Sequence, residues 1–154
     1  MRYRSKTTAA WLALLLGSLG LHRLYLHGPR DRWAWMFPLP TALGLAGVLR
    51  MRSFGADDGL AALLVPLLGI TISVAMLTAI VMALTPDAQW DARHNPGQSP
   101  RATGWGAVAA AMVALLVGAT VLLSTLAFSG QRFFEWQIEE RPAHTSGGKL
   151  TPVS

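Results

Sequence analysis

The chain has 154 residues, 52% of them hydrophobic and only 14% charged, with 13 basic and 8 acidic residues for a net charge of +5. Those charges crowd into short stretches between long uncharged runs, a pattern of segments placed alternately in hydrocarbon and in water that argues against an ordinary soluble domain. The basic residues flank apolar runs instead of forming one stripe interleaved with aromatics, so lipid phosphate and not nucleic acid is the expected anion, and the lack of any cysteine excludes disulfides, thiolate metal sites and cysteine nucleophiles.

In chain order, residues 7–21 are the first apolar segment, 15 residues without a charge, or about 22 Å as a helix. Continuing through Leu26 lengthens the segment but brings in His22 and Arg23, tolerable near an interface because an arginine can extend to the head groups. Ala9, Ala13 and Gly17, followed by Gly20, form a small-residue face suited to close helix packing. The second segment, residues 33–49, is the weakest of the four, 17 residues long. Trp33 and Trp35 read as interfacial anchors, and Pro38 and Pro40 predict an irregular start with a regular helix from about Pro40. Such a length also fits a tilted or re-entrant segment.

The third segment, residues 60–84, has 25 residues without a charge and reaches about 37 Å, enough to cross ~30 Å of hydrocarbon. Asp57 or Asp58 is placed to cap it, and Pro66 and Gly69 fall in its first half, where a kink is tolerated if neighbouring helices satisfy the freed carbonyl. Residues 85–103 are polar and turn-rich, with Thr85-Pro86-Asp87 and His94-Asn95-Pro96-Gly97. The fourth segment, residues 104–128, again runs 25 residues without a charge. Its Ala110, Ala114 and Gly118 lie four apart on one face. Residues 129–138 read as a separate interfacial piece carrying Phe133, Phe134, Trp136 and Ile138, and residues 142–154 have the composition of a disordered tail. Arg2, Arg4 and Lys6 before an apolar run suggest a signal peptide, but no A-x-A cleavage site follows, so the segment is expected to be retained. The expected class is an all-α integral membrane protein with about four transmembrane helices. It divides into a helical hairpin over residues 1–52, an added pair of spans over 53–141, and the tail.

One motif is recognisable. Arg4-Ser5-Lys6 opens the first segment, the small positions Ala9, Ala13, Gly17 and Gly20 follow, and His22-Arg23-Leu24-Tyr25-Leu26 closes it. This resembles the TM-two domain family, whose pattern has a basic-Ser-basic opening, a small-residue helix and a His/Asp-Arg-Phe-Tyr-Leu-Gly ending. Leu24 stands where phenylalanine is usual, and His27 where glycine is usual, with Gly28 one place later. The resemblance covers about residues 4–50 and is similar to bacterial members, with two further helices added. It implies a helical hairpin with the His22, Arg23, Tyr25 and Leu26 signature at the end of its first helix. It implies no reaction, since the family label describes a fold.

The plain reading of that signature is a helix-ending, lipid-anchoring device. Cationic His22 or Arg23 would face the helix's C-terminal carbonyls, and Tyr25 would sit at the head groups with its hydroxyl in water. The functional reading is a docking spot for a partner or an anionic head group. His22, His27 and Asp31 do not match a compact metal pattern, so no metal and no cofactor are expected. Asp57 and Asp58 with Arg50 and Arg52, and Asp87, Asp91 and His94, read as capping and solvated charge. The third and fourth segments hold no ionisable residue of the kind transport chemistry uses, and no catalytic set stands out. The expected role is therefore a non-catalytic scaffold or interaction partner, resting in the lipid bilayer and binding a membrane protein or a second copy through its small-residue faces. A channel or transport accessory is the alternative, and a lipid-acting enzyme a more distant one. Counting Lys and Arg over four spans gives 8 on the N-terminal side and 5 on the other. That places both termini in the cytoplasm of a bacterial inner membrane, a location that the Ala, Leu, Gly and Arg richness suits.

Overall fold

The computed structural model describes residues 3–99 and 101–139, and these are helical with no strand among them. The expected tail at 142–154 lies outside the described residues. The helices are α1 (Lys6–Leu16), α2 (Leu21–His27), α3 (Arg32–Met36), α4 (Pro38–Phe54), α5 (Gly59–Leu84), α6 (Asp87–His94) and α7 (Trp105–Glu139), with a 3-10 turn at Gly17–Leu19 between the first two.

The first apolar segment does not form one helix. Ser5 begins α1, its hydroxyl accepting from the Thr8 amide at 3.5 Å, but the helix ends at the 3-10 turn and Gly20 takes φ +76°. A side chain there would be strained, and its Cβ would lie 2.5 Å from the Ala34 carbonyl oxygen. The chain therefore turns back, and α2 runs along α1 with Leu26 packed on Ala9. The Ser5 amide donates to the Tyr25 hydroxyl at 3.0 Å, whereas one straight helix would hold those two residues about 30 Å apart. The expected first crossing is thus a short helical hairpin that returns to its starting level.

The second segment also differs from expectation. Asp31 caps α3 by accepting from the Trp33 amide at 3.1 Å, so the stretch before the prolines is helical. Only Phe37 separates α3 from α4, and its φ of −63° and ψ of −39° continue the helix. Pro38 opens α4, and its missing N–H interrupts the hydrogen bonding between α3 and α4. Residues 32–54 together give about 34 Å of helical rise with a proline-marked joint.

Helix α5 starts at Asp58, whose carboxylate accepts from the Leu60 amide at 3.3 Å, and carries Pro66 inside. Helix α7 does not stop at Phe128. It continues through the piece expected to be separate, with Phe133, Phe134, Trp136 and Ile138 exposed along it. By length and composition α5 and α7 can each cross a membrane, whereas the apolar stretch Lys6–Leu19 is shorter. The described chain thus has two such helices, not the four expected.

Packing explains how these helices associate. The interior is alanine: Ala10, Ala83, Ala107 and Ala110 form one cluster, and Ala13, Ala75, Ala79 and Ala114 with Met76 form the next. The large apolar side chains point outward, Leu63 at 67% and Leu116 at 70% exposure. A soluble fold buries its leucines, but helices in lipid gain nothing by that and associate through small residues that let backbones close up. On the other flank of α5, Gly44 and Gly47 of α4 pack against Leu68 and Leu64.

The start of α1 meets the end of α5, where Lys6 reaches Thr85. Arg132 of α7 lies 3.9 Å from Asp57, beside the start of α5. The N-terminal arm and Arg132 therefore occupy opposite ends of a helix about 39 Å long.

Candidate functional site

The polar chemistry concentrates at the arm end of the bundle. Thr85 and Pro86 stop α5 and turn the chain into α6. On α6, Asp87 and Asp91, with Asn95 just after it, fall four apart and share a face. That face holds residues 3–6. The Lys6 ammonium donates to the Asp87 carboxylate at 2.6 Å and to the Thr85 carbonyl at 2.9 Å. The same carboxylate accepts from the Thr103 hydroxyl at 2.6 Å and the Thr103 amide at 2.9 Å. One aspartate thereby joins α1, α6 and the start of the segment leading to α7.

Asn95, 2% exposed, clamps the arm's backbone. Its carbonyl oxygen accepts from the Arg4 amide at 2.8 Å, and its amide donates to the Arg4 carbonyl at 3.2 Å and to Asp91 at 2.8 Å. The Trp90 indole donates to the same Arg4 carbonyl at 2.8 Å. Asp91 also accepts from the Tyr3 hydroxyl at 3.1 Å, and Arg101 stacks over the Tyr3 ring. Every polar atom of the buried Asn95 side chain is thus occupied.

Hydrogen bonds from Lys6 and then Thr103 hold the Asp87 carboxyl down at about 2, well below the usual carboxylate range. Because the folded value is depressed, its contribution is complete above the unfolded pKa of about 3.9 and is lost as pH falls through the folded one. The melting temperature of the detergent-solubilised protein is expected to lose this contribution between about pH 4 and 2, and Asp87→Asn to flatten that limb. An acid limb of equal depth in the variant would show that Asp87 does not carry it.

The signature residues lie on α2, not at the end of the first helix. His22 is buried, edge-on to Phe37 with ring centroids 5.7 Å apart. Arg23 does not face helix carbonyls but pairs with Asp31 at 2.9 Å. The Tyr25 hydroxyl, expected in water, accepts from Ser5, and Leu26 fills the space between Ala9 and Trp90. The Ser of the basic-Ser-basic opening and the Tyr of the signature are therefore direct partners. His27 lies 3.8 Å from Asp31, and among the described residues no three side chains are grouped to hold a metal ion. At the other end Arg50 pairs with Asp58.

The small-residue faces point inward. Ala9 packs on α2, Ala13 on Ala75, and a Cβ on Gly17 would come within 2.9 Å of that of Ala75. Ala110 and Ala114 are fully buried, and Gly118 faces Met76. Gly20 belongs to the left-handed turn instead. These faces were the ground for expecting a partner in the membrane, but α1, α5 and α7 use them on each other. A leucine at Ala114 or Gly118 reports on folding, not on association.

Sequence reasoning passed over Asn95 and Trp90 and treated Asp87 and Asp91 as solvated. The signal available was the four-residue spacing of Asp87, Asp91 and Asn95 after a Thr-Pro stop. The TM2 domain family model matches residues 2–50. No curated protein and no solved structure matches the chain.

Proposed function

We propose, for a chain that carries a TM2 domain in its first third, a non-catalytic membrane scaffold that holds a rigid basic platform at one face of the bilayer. The observation that supports this reading is the inverted interior, with alanines buried between helices and leucines exposed around them. The α1–α2 hairpin enters and leaves on one side, α3 with α4 crosses, α5 returns and α7 crosses again. On this reading three crossings leave the N-terminal arm and the end of α7 on opposite sides, an arrangement that differs from both termini lying in the cytoplasm. Arg4, Lys6, Arg23, Arg30, Arg32, Arg93 and Arg101 belong to the segments that this reading puts at the arm end, with Asp31, Asp87 and Asp91. Arg50, Arg52 and Arg132 are balanced by Asp57, Asp58 and Glu135 at the other. That excess favours the arm end on the cytoplasmic side.

The chain has no cysteine, so single cysteines report sidedness cleanly. An N-terminal epitope tag, Arg30→Cys and Ala102→Cys are expected on one side of sealed vesicles, and Asp57→Cys and Gln137→Cys on the other. A tag and Arg30→Cys on opposite sides would restore a crossing first segment and sink the hairpin.

A further inference from the structure

The arm end carries two recesses that share a wall. The first, of about 900 Å³, lies between α2, the last part of α5 and α6, with Leu26, Leu77, Val81 and Met82 below and His27 and Arg93 at its mouth. The second, of about 640 Å³, lies on the far side of Arg93 and His94 and is lined by Tyr3, Arg4, Tyr25 and Gln98. The shared wall is held in place, since the His94 ring stacks on Trp90 with centroids 4.2 Å apart and its Nδ1 lies 3.2 Å from the Trp90 carbonyl oxygen.

Neither recess has a carboxylate in its lining. Asp87 and Asp91 are occupied by Lys6, Thr103, Asn95 and Tyr3, and Asp31 faces Arg23 and His27. Among the described residues Arg4 and Arg93 have no ion-pair partner, so the recesses are a positive site that asks for an anion. Burial lowers the His94 pKa, which leaves the charge to the two arginines. The apolar half decides what kind of anion. Leu77 and Val81 are 60% and 59% exposed on the outer face of α5, so the first recess opens sideways onto the surface that meets acyl chains. A free phosphate or an acidic peptide has no use for that floor.

We propose that the paired recesses hold one anionic glycerophospholipid, its phosphate at Arg93 and Arg4 and an acyl chain along Leu77, Val81 and Met82. The assignment rests on the membrane reading above and names the ligand of its basic platform. A lipid so held ties the N-terminal arm and α6 to the leaflet where anionic head groups concentrate.

The test uses the full chain, reconstituted in phosphatidylcholine vesicles containing a minority of phosphatidylglycerol, extracted in mild detergent and weighed by native mass spectrometry. Phosphatidylglycerol is expected to stay bound while phosphatidylcholine is stripped. Arg93→Gln is expected to lower retention about fivefold, as is Val81→Trp, which fills the apolar floor without touching charge. Arg52→Gln at the opposite end should leave retention unchanged. Equal retention of the two lipids, an undiminished signal in Arg93→Gln, or an equal loss in Arg52→Gln would overturn the site. Displacement of phosphatidylglycerol by inorganic phosphate as readily as by the lipid itself would reduce it to an anion site and overturn the lipid assignment. Protein recovered outside the vesicle fraction would instead refute the membrane reading.

Discussion

Leucine in place of Gly44 or Gly47 is expected to stop the protein from reaching its folded state. A Cβ on Gly44 would collide with the Leu68 Cβ and fall 2.6 Å from the Leu68 backbone nitrogen. On Gly47 it would fall 2.5 Å from the Leu64 Cβ and 3.0 Å from both the Leu64 carbonyl carbon and the Val65 nitrogen. Backbone atoms inside α5 cannot rotate away as a side-chain tip can, so any Cβ must push α4 and α5 apart. Added methylenes in a packed interior cost about 1–3 kcal/mol, and a leucine adds several against a total stability of about 5–15 kcal/mol. Glycine itself costs about 1 kcal/mol in a helix interior, and the close approach of α4 to α5 is what offsets that cost here. Fluorescence-detected size exclusion in mild detergent should show the leucine variants aggregated, and alanine variants folded with lowered melting temperatures. A Gly44→Leu protein that melts like the parent would mean that α4 does not pack on α5 at this crossing.

Asn95→Leu is expected to release the N-terminal arm while leaving the spanning helices together. The substitution keeps an apolar body of similar size but removes the acceptor for the Arg4 amide and both donors. The Arg4 carbonyl keeps the Trp90 indole, and Asp91 keeps Tyr3 and the Arg101 amide. The Arg4 N–H is left without a partner in a part-buried place, and the total loss comes to roughly 2–3 kcal/mol. Protection of the amides in residues 3–6 against hydrogen exchange should therefore fall roughly thirtyfold or more, and trypsin should cut at Arg4 and Lys6 faster than in the parent. The amides of α5 and α7 are expected to keep their protection, because the alanine clusters do not involve Asn95. Equal trypsin rates in the two proteins would mean that Lys6 and Ser5 hold the arm without the clamp.

Both experiments act on contacts of high sequence separation, and those are what the linear chain left unstated. The all-helical class and the two long apolar helices were plain in the uncharged runs at 60–84 and 104–128, because a segment that crosses hydrocarbon must be long and apolar whatever it packs against. A cap at Asp57 or Asp58 and the interior proline of α5 were local and equally legible, and the structure selects Asp58. The family's spacing pointed to residues 4–28 as a unit, and Ser5 and Tyr25 are bonded across it.

Direction was a different matter. An apolar run carries no mark of which way it leads, and the reversal passes through a left-handed Gly20 where an added Cβ would meet the Ala34 carbonyl oxygen and Phe37. The same limit applies to partners. A small-residue stripe shows that something must approach closely, but its composition is identical whether the neighbour belongs to another protein or to the same chain. Helix α6 was hidden for a related reason, since eight residues between two turn signals are too short to be helical alone and gain their order from Lys6, Arg4 and Thr103. Amino-acid type by itself determined which parts of this protein are apolar enough for a membrane. Only the tertiary structure decided where the chain reverses and which polar groups meet, because both depend on residues far apart in sequence, such as Gly20 with Ala34 and Arg4 with Asn95.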